Sequence, residues 1–172
     1  MKKFFLLMAL VPLLSFAQDD DITEICGTQF GAPYMASYYA LKRTFGTPDD
    51  ALSVQNKRIG FMDKAIEGVP FEFLSFFFVE KNGKTYLNEC LFFNLYKTEE
   101  EAIEMRSKIA VALGKKFKLD KECSKDGNIE YLGGTSPTNP NKYGFHIYIG
   151  YSSGSYYPYN VNLAFGPYDY DK

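Results

Sequence analysis

The chain has no tryptophan, a single histidine and three cysteines in 172 residues. That scarcity leaves no His/Cys spacing of the kind that holds zinc, so no metal site is expected. There is no G-x-S-x-G elbow, no H-E-x-x-H helix, no Walker loop and no G-x-G-x-x-G, and His146 has no nucleophile motif beside it. No catalytic residue and no cofactor is therefore expected. Positive charge is also short: 19 basic residues face 21 acidic ones and form no patch, which disfavours nucleic acid and anionic membrane surfaces as partners.

The one long apolar run is at the start. Residues 1–17, MKKFFLLMALVPLLSFA, have the form of a signal peptide, with Lys2 and Lys3 before an apolar stretch and Ser15 and Ala17 before the cut. The run is short for a bilayer span. Export to the periplasm or beyond is expected, with no membrane insertion after cleavage. Removing those seventeen residues and their two lysines leaves 155 residues of net charge −4. Residues 18–27 read as a flexible acidic leader and 28–172 as a single domain. In an oxidising compartment Cys26 and Cys123, both in polar surroundings, are the candidates for a disulfide, and Cys90 reads as a small buried hydrophobe.

The centre of the fold is expected at residues 71–96, FEFLSFFFVEKNGKTYLNECLFFNLY, which hold seven of the sixteen phenylalanines. Asn82-Gly83 is the dipeptide that best accepts a type I′ turn. Pairing out from that turn sets Phe78/Leu87, Leu74/Leu91 and Glu72/Phe93 on one face. Phe77/Asn88, Ser75/Cys90 and Phe73/Phe92 fall on the other, and Glu89 falls opposite Phe76. Neither face is polar throughout, so both are expected to be at least partly covered.

A helix is expected over 33–45, started by Pro33 and stopped by Gly46 and Pro48, with Tyr34, Tyr38, Leu41 and Phe45 on one side. Thr98-Glu99-Glu100-Glu101 is a capping box, opening a helix over 99–117 with Ile103, Ile109, Ala110, Leu113 and Phe117 inward. Strands are expected over 58–62 and 128–132, a loop over 65–70, and a long exposed loop over 133–142. Residues 145–151 alternate, as do 157–165. Phe145, Ile147, Ile149, Tyr151, Tyr159, Val161, Leu163 and Phe165 fall on one side; His146, Tyr148, Asn160 and Asn162 fall on the other. The order is α-β-β-β-α-β-β-β, an α+β fold with two helices on one face of an antiparallel sheet.

Phe30-Gly31, a helix, and Phe45-Gly46-Thr47-Pro48 resemble the helix-plus-hairpin modules of the assembly-lipoprotein and β-lactamase-inhibitor-protein type. The signal ending Phe-Ala-Gln and the Tyr/Phe-rich strands resemble secreted Bacteroidota proteins of unknown function. The resemblance implies a non-enzymatic binding or scaffold role and transfers no residue; the lipid-anchoring cysteine of the lipoproteins has no counterpart here.

Eight of fourteen tyrosines lie in the last thirty residues. Strands favour tyrosine on packing grounds alone, yet an exposed group of them also suits protein or sugar binding. His146, Tyr148, Tyr156, Asn160 and Asn162 are the candidate binding residues. The first reading is a module for a protein partner in the cell envelope; the second is a carbohydrate-binding module using the same tyrosines. A small hydrolase, drawing on Glu67, Glu72 and Glu89, comes third.

Overall fold

The computed structural model describes residues 20–124 and 127–169. Residues 1–17, read as a signal peptide, and Tyr170 lie outside the described residues. In chain order the elements are β1 (Glu24–Ile25), β2 (Thr28–Gln29), α1 (Tyr34–Phe45), β3 (Arg58–Ile66), β4 (Val69–Lys81), β5 (Lys84–Tyr96) and α2 (Glu99–Leu113). Then come β6 (Leu119–Cys123), β7 (Ile129–Ser136), β8 (Asn139–Tyr151) and β9 (Tyr159–Phe165). The fold is mixed α+β, as expected, but the order is corrected: a two-stranded ribbon precedes α1, and β6 is an additional strand. The main sheet has seven antiparallel strands in the order β3-β4-β5-β9-β8-β7-β6.

Asn82 at φ 52° and Gly83 at φ 72° form the expected primed turn between β4 and β5. From Lys81↔Lys84 to Phe78↔Leu87 the pairing follows that turn. There the register shifts, and Phe77 pairs with Glu89, Phe76 with Cys90 and Leu74 with Phe92. Asn88 is the extra residue of a β-bulge, and every pairing expected beyond it is corrected by one position. The physical reason is burial. Leu87 and Cys90, three apart, would fall on opposite faces of a regular strand, yet both are fully buried; the bulge brings them to the same face.

The registers sort the remaining side chains. Ile59, Phe61, Leu74, Phe76, Phe92, Leu163, Phe165, Ile147 and Phe145 share one face and are all buried. Both helices pack there. Phe45 of α1 lies 5.2 Å from Phe61 and 6.4 Å from Phe76, ring centre to ring centre. Ile109 and Leu113 of α2 close over Phe71 and Leu163. The opposite face has neither helix, yet it is partly covered, as expected: Leu52, from the loop after α1, lies over Gly60 on that side, and Ser75 across from Gly60 is buried.

Helix α2 starts at the expected capping box: Glu101 N–H donates to Thr98 Oγ1 at 3.3 Å, and Thr98 N–H donates to Glu101 Oε2 at 3.2 Å. It ends four residues early, at Leu113. Its inward stripe is also corrected. Ile103 is exposed and Arg106 is buried, its guanidinium donating to the Ile129 carbonyl at 2.7 Å. Strand β3 runs through the expected loop to a turn at Glu67 and Gly68, both at positive φ. The loop expected over 133–142 is mostly strand, because Ser136↔Asn139 closes a tight hairpin around Pro137 and Thr138. Tyr151, expected in the core, is 65% exposed at the end of β8.

The stretch read as a flexible leader is packed from Asp20 onward. Ile22 N–H donates to the Thr135 carbonyl at 2.9 Å, and the Ile22 side chain lies over Gly134 and Gly144, where a Cβ would collide with it. All three cysteines are free, so the expected Cys26–Cys123 bridge is not formed. Cys26 sits beside α1, its carbonyl accepting from Thr44 Oγ1 at 3.2 Å, whereas Cys123 ends β6 at the far edge of the sheet. Burial pushes the Cys26 thiol up to about 12, with the charge of Glu67 adding to the effect.

Candidate functional site

On the face without helices the registers set side chains in rows across the strands. Met62, Phe73, Phe93, Asn162 and Tyr148 form one row. Ser75, Leu91, Ala164, His146 and Leu132 form the next. Leu95 and Asn160 continue it on one side, and Phe77 and Glu89 on the other. Four of the five expected binding residues, His146, Tyr148, Asn160 and Asn162, are therefore brought together. Strand alternation placed them there, since their neighbours Ile147, Val161 and Leu163 are core.

The polar half of this surface is tied together. His146 Nε2 lies 2.8 Å from Glu130 Oε2, and its ring centre lies 4.6 Å from that of Tyr148. Asn162 Nδ2 donates to Asn160 Oδ1 at 2.5 Å. Gly150, the residue paired with Asn160, leaves the space that this amide occupies. Burial, then the charges of Glu89 and Glu130, push the Tyr148 hydroxyl up. Burial likewise raises the Glu89 carboxyl above its ordinary value.

The apolar half comes from β3, β4 and β5. Phe73 stacks on Phe93 with ring centres 4.8 Å apart and planes 19° apart. Met62 is exposed, and Phe73, Phe77, Leu91, Phe93 and Leu95 are half-buried. Sequence reasoning missed these residues because the bulge at Asn88 reverses which of them face inward. It also missed Glu130. Alternation across 128–132 puts Glu130 on the side of Leu132, but its approach to His146 needs the β7–β8 register.

Tyr156 is not part of this surface. It is 72% exposed in the turn after β8, where Lys97 Nζ donates to its hydroxyl at 2.8 Å and lies 4.4 Å from its ring centre. Its neighbour Tyr157 meets it edge to face, with planes 89° apart. The two rings give no common plane on which a sugar could stack.

The carboxylates named for hydrolysis are dispersed. Glu67 sits in the β3–β4 turn and bonds Lys116 Nζ at 2.7 Å. Glu89 lies opposite Phe77, eight residues along β4 from Val69, or about 26 Å at strand rise. His146 bonds to Glu130, with no hydroxyl or thiol bonded to its ring among the described residues. A hollow of about 350 Å³ near the hairpin tip, lined by Val79, Tyr86, Asn88, Pro167 and Tyr168, holds none of the expected site residues. Among the described residues no cluster of His, Cys, Asp or Glu is placed to hold a metal, and no helix is long and apolar enough to cross a membrane.

No protein-family model, curated protein or solved structure matches the chain.

Proposed function

We propose that the protein is an exported binding module that engages a protein partner in the cell envelope through its helix-free sheet face. The carrying observation is the composition of that face. A half-exposed apolar strip of Met62, Phe73, Phe77, Leu91, Phe93 and Leu95 adjoins the polar group of His146, Tyr148, Asn160 and Asn162. A broad patch mixing aromatic and aliphatic groups with a polar margin suits protein more than sugar. Export rests on residues 1–17, and a scaffold role agrees with the resemblance to small secreted α+β modules.

The test is capture from a solubilised envelope by residues 18–172 carrying paired substitutions. One protein recovered stoichiometrically, lost with Phe93→Asp and Tyr148→Ala but kept with Tyr156→Ala, supports the reading. Capture that survives Phe93→Asp and falls with Tyr156→Ala moves the site to the tyrosine turn. Recovery of polysaccharide in place of protein replaces the partner class.

A further inference from the structure

On the helix side of the sheet, away from the open face, two tyrosines do lie nearly parallel. Tyr34 and Tyr38, one turn apart on α1, have ring centres 6.5 Å apart and planes 27° apart. Tyr34 is buried and held from behind by Phe78, 5.0 Å away, while Tyr38 is half-buried. With Thr47, Asp50, Ser53 and Gln55, from the segment between α1 and β3, the two rings line a hollow of about 230 Å³. That segment is pinned along the edge of β3. Asp49 N–H donates to the Gly60 carbonyl at 2.9 Å, and Gly60 N–H donates to Ser53 Oγ at 3.0 Å. Val54 and Arg58 exchange backbone hydrogen bonds at 2.9 and 2.8 Å. The hollow is thus built by the fold itself, which lowers the entropy lost when a ligand enters.

The polar groups around it are available. Ser53 Oγ accepts from Gly60 and keeps its own proton to donate. Among the described residues no hydrogen bond or ion pair engages the Thr47 hydroxyl, the Asp50 carboxylate or the Gln55 amide. Aromatic surface and a mixed set of donors and acceptors share one small hollow, which suits a ring with an apolar face and a rim of hydroxyls. Charged ligands fit less well. An anion would meet Asp50, and a cation would meet Lys42, whose Nζ lies 5.8 Å from the centre of the Tyr38 ring. Sites for drug-sized ligands run to about 300–1,000 Å³, so this one has room for a single small ring. We propose that the hollow beside α1 binds one neutral hexopyranose, its apolar face on Tyr38 and its hydroxyls bonded to Asp50 and Gln55. The site is independent of the open face, because the two lie on opposite sides of the sheet.

The test titrates the isotopically labelled 18–172 protein with the methyl pyranosides of glucose, galactose, mannose and N-acetylglucosamine. Sorbitol, which has the hydroxyls but no ring, is the comparison. At least one pyranoside is expected to shift the amide signals of Tyr38, Asp50 and Gln55 saturably with a Kd of about 1 mM, and sorbitol to bind about tenfold more weakly. Tyr38→Phe should keep the binding and Tyr38→Ala should abolish it. Asp50→Asn, an exposed substitution that leaves the rings in place, should weaken it about tenfold. Phe93→Asp, on the open face, should leave it unchanged. Shifts from none of the four pyranosides, or shifts equally strong with sorbitol, overturn the site. Saturable binding that survives both Tyr38→Ala and Asp50→Asn but falls with Tyr156→Ala also overturns it, and places sugar at the tyrosine turn. None of these outcomes bears on the open face, which envelope capture reads separately.

Discussion

The two faces of the central hairpin are made from the same strands and nearly the same residue types, but they end in different states. On one face Phe61, Leu74, Phe76 and Phe92 are at most 1% exposed beneath α1 and α2. On the other Phe73, Phe77 and Phe93, one residue away, stay half-exposed with no helix above them. A sheet face left to water ordinarily carries polar side chains. Here only β7, β8 and β9 follow that rule, through Glu130, His146, Tyr148, Asn160 and Asn162. Among the described residues no helix lies over the apolar half of the open face.

The comparison breaks most directly by truncating one ring on each face. Phe92→Ala empties a fully buried site between Phe71, Phe76 and Phe165 and should cost about 3–5 kcal/mol. Phe93→Ala removes a half-exposed ring stacked only on Phe73 and should cost about 1 kcal/mol. Urea unfolding of the two variants reads the difference. Equal costs would mean that the open face is as fully packed as the covered one.

A smaller effect tests how the two faces are kept in register. Pairing of β4 with β5 stops at Phe73↔Phe93, and Asn94 takes over. Its Oδ1 accepts from Glu72 N–H at 2.6 Å, and its Nδ2 donates to the Pro70 carbonyl at 3.0 Å. Asn94 is buried, so Asn94→Ala leaves both backbone groups unpaired and should cost about 2 kcal/mol by the same unfolding measurement. A neutral result would show that water replaces both bonds.

What could be read from the chain follows the same division. The Asn82-Gly83 turn, the Thr98 capping box and the alternation of 145–151 are local devices, and each appears where its residues predict it. The bulge at Asn88 is not local, because it is set by the burial of both Leu87 and Cys90 on one face of the sheet. Strand β6 was missed because an edge strand reading LDKEC, with charges at its centre, looks like a loop. Arg106 was missed because its partners, the Ile129 carbonyl and the Tyr131 ring 6.0 Å away, come from a different strand. The polar half of the site was legible for a related reason: His146, Tyr148, Asn160 and Asn162 alternate with obvious core residues. Phe73 and Phe93 could not be told from core by type, and only the shifted register places them outside.

The smallest effect is a pH dependence that Glu89 gives to the open face. Burial raises the folded-state pKa of Glu89 above its ordinary 4.5, so between those values the folded protein holds a proton that the unfolded chain has released. Glu89 therefore lowers stability as pH rises from its ordinary value through the raised one, and the loss is complete above it. Glu89→Gln should raise the melting temperature slightly at pH 7, with the gain vanishing below about pH 4. A Glu89→Gln variant less stable than the parent at pH 7 would mean that the fold already holds the carboxylate.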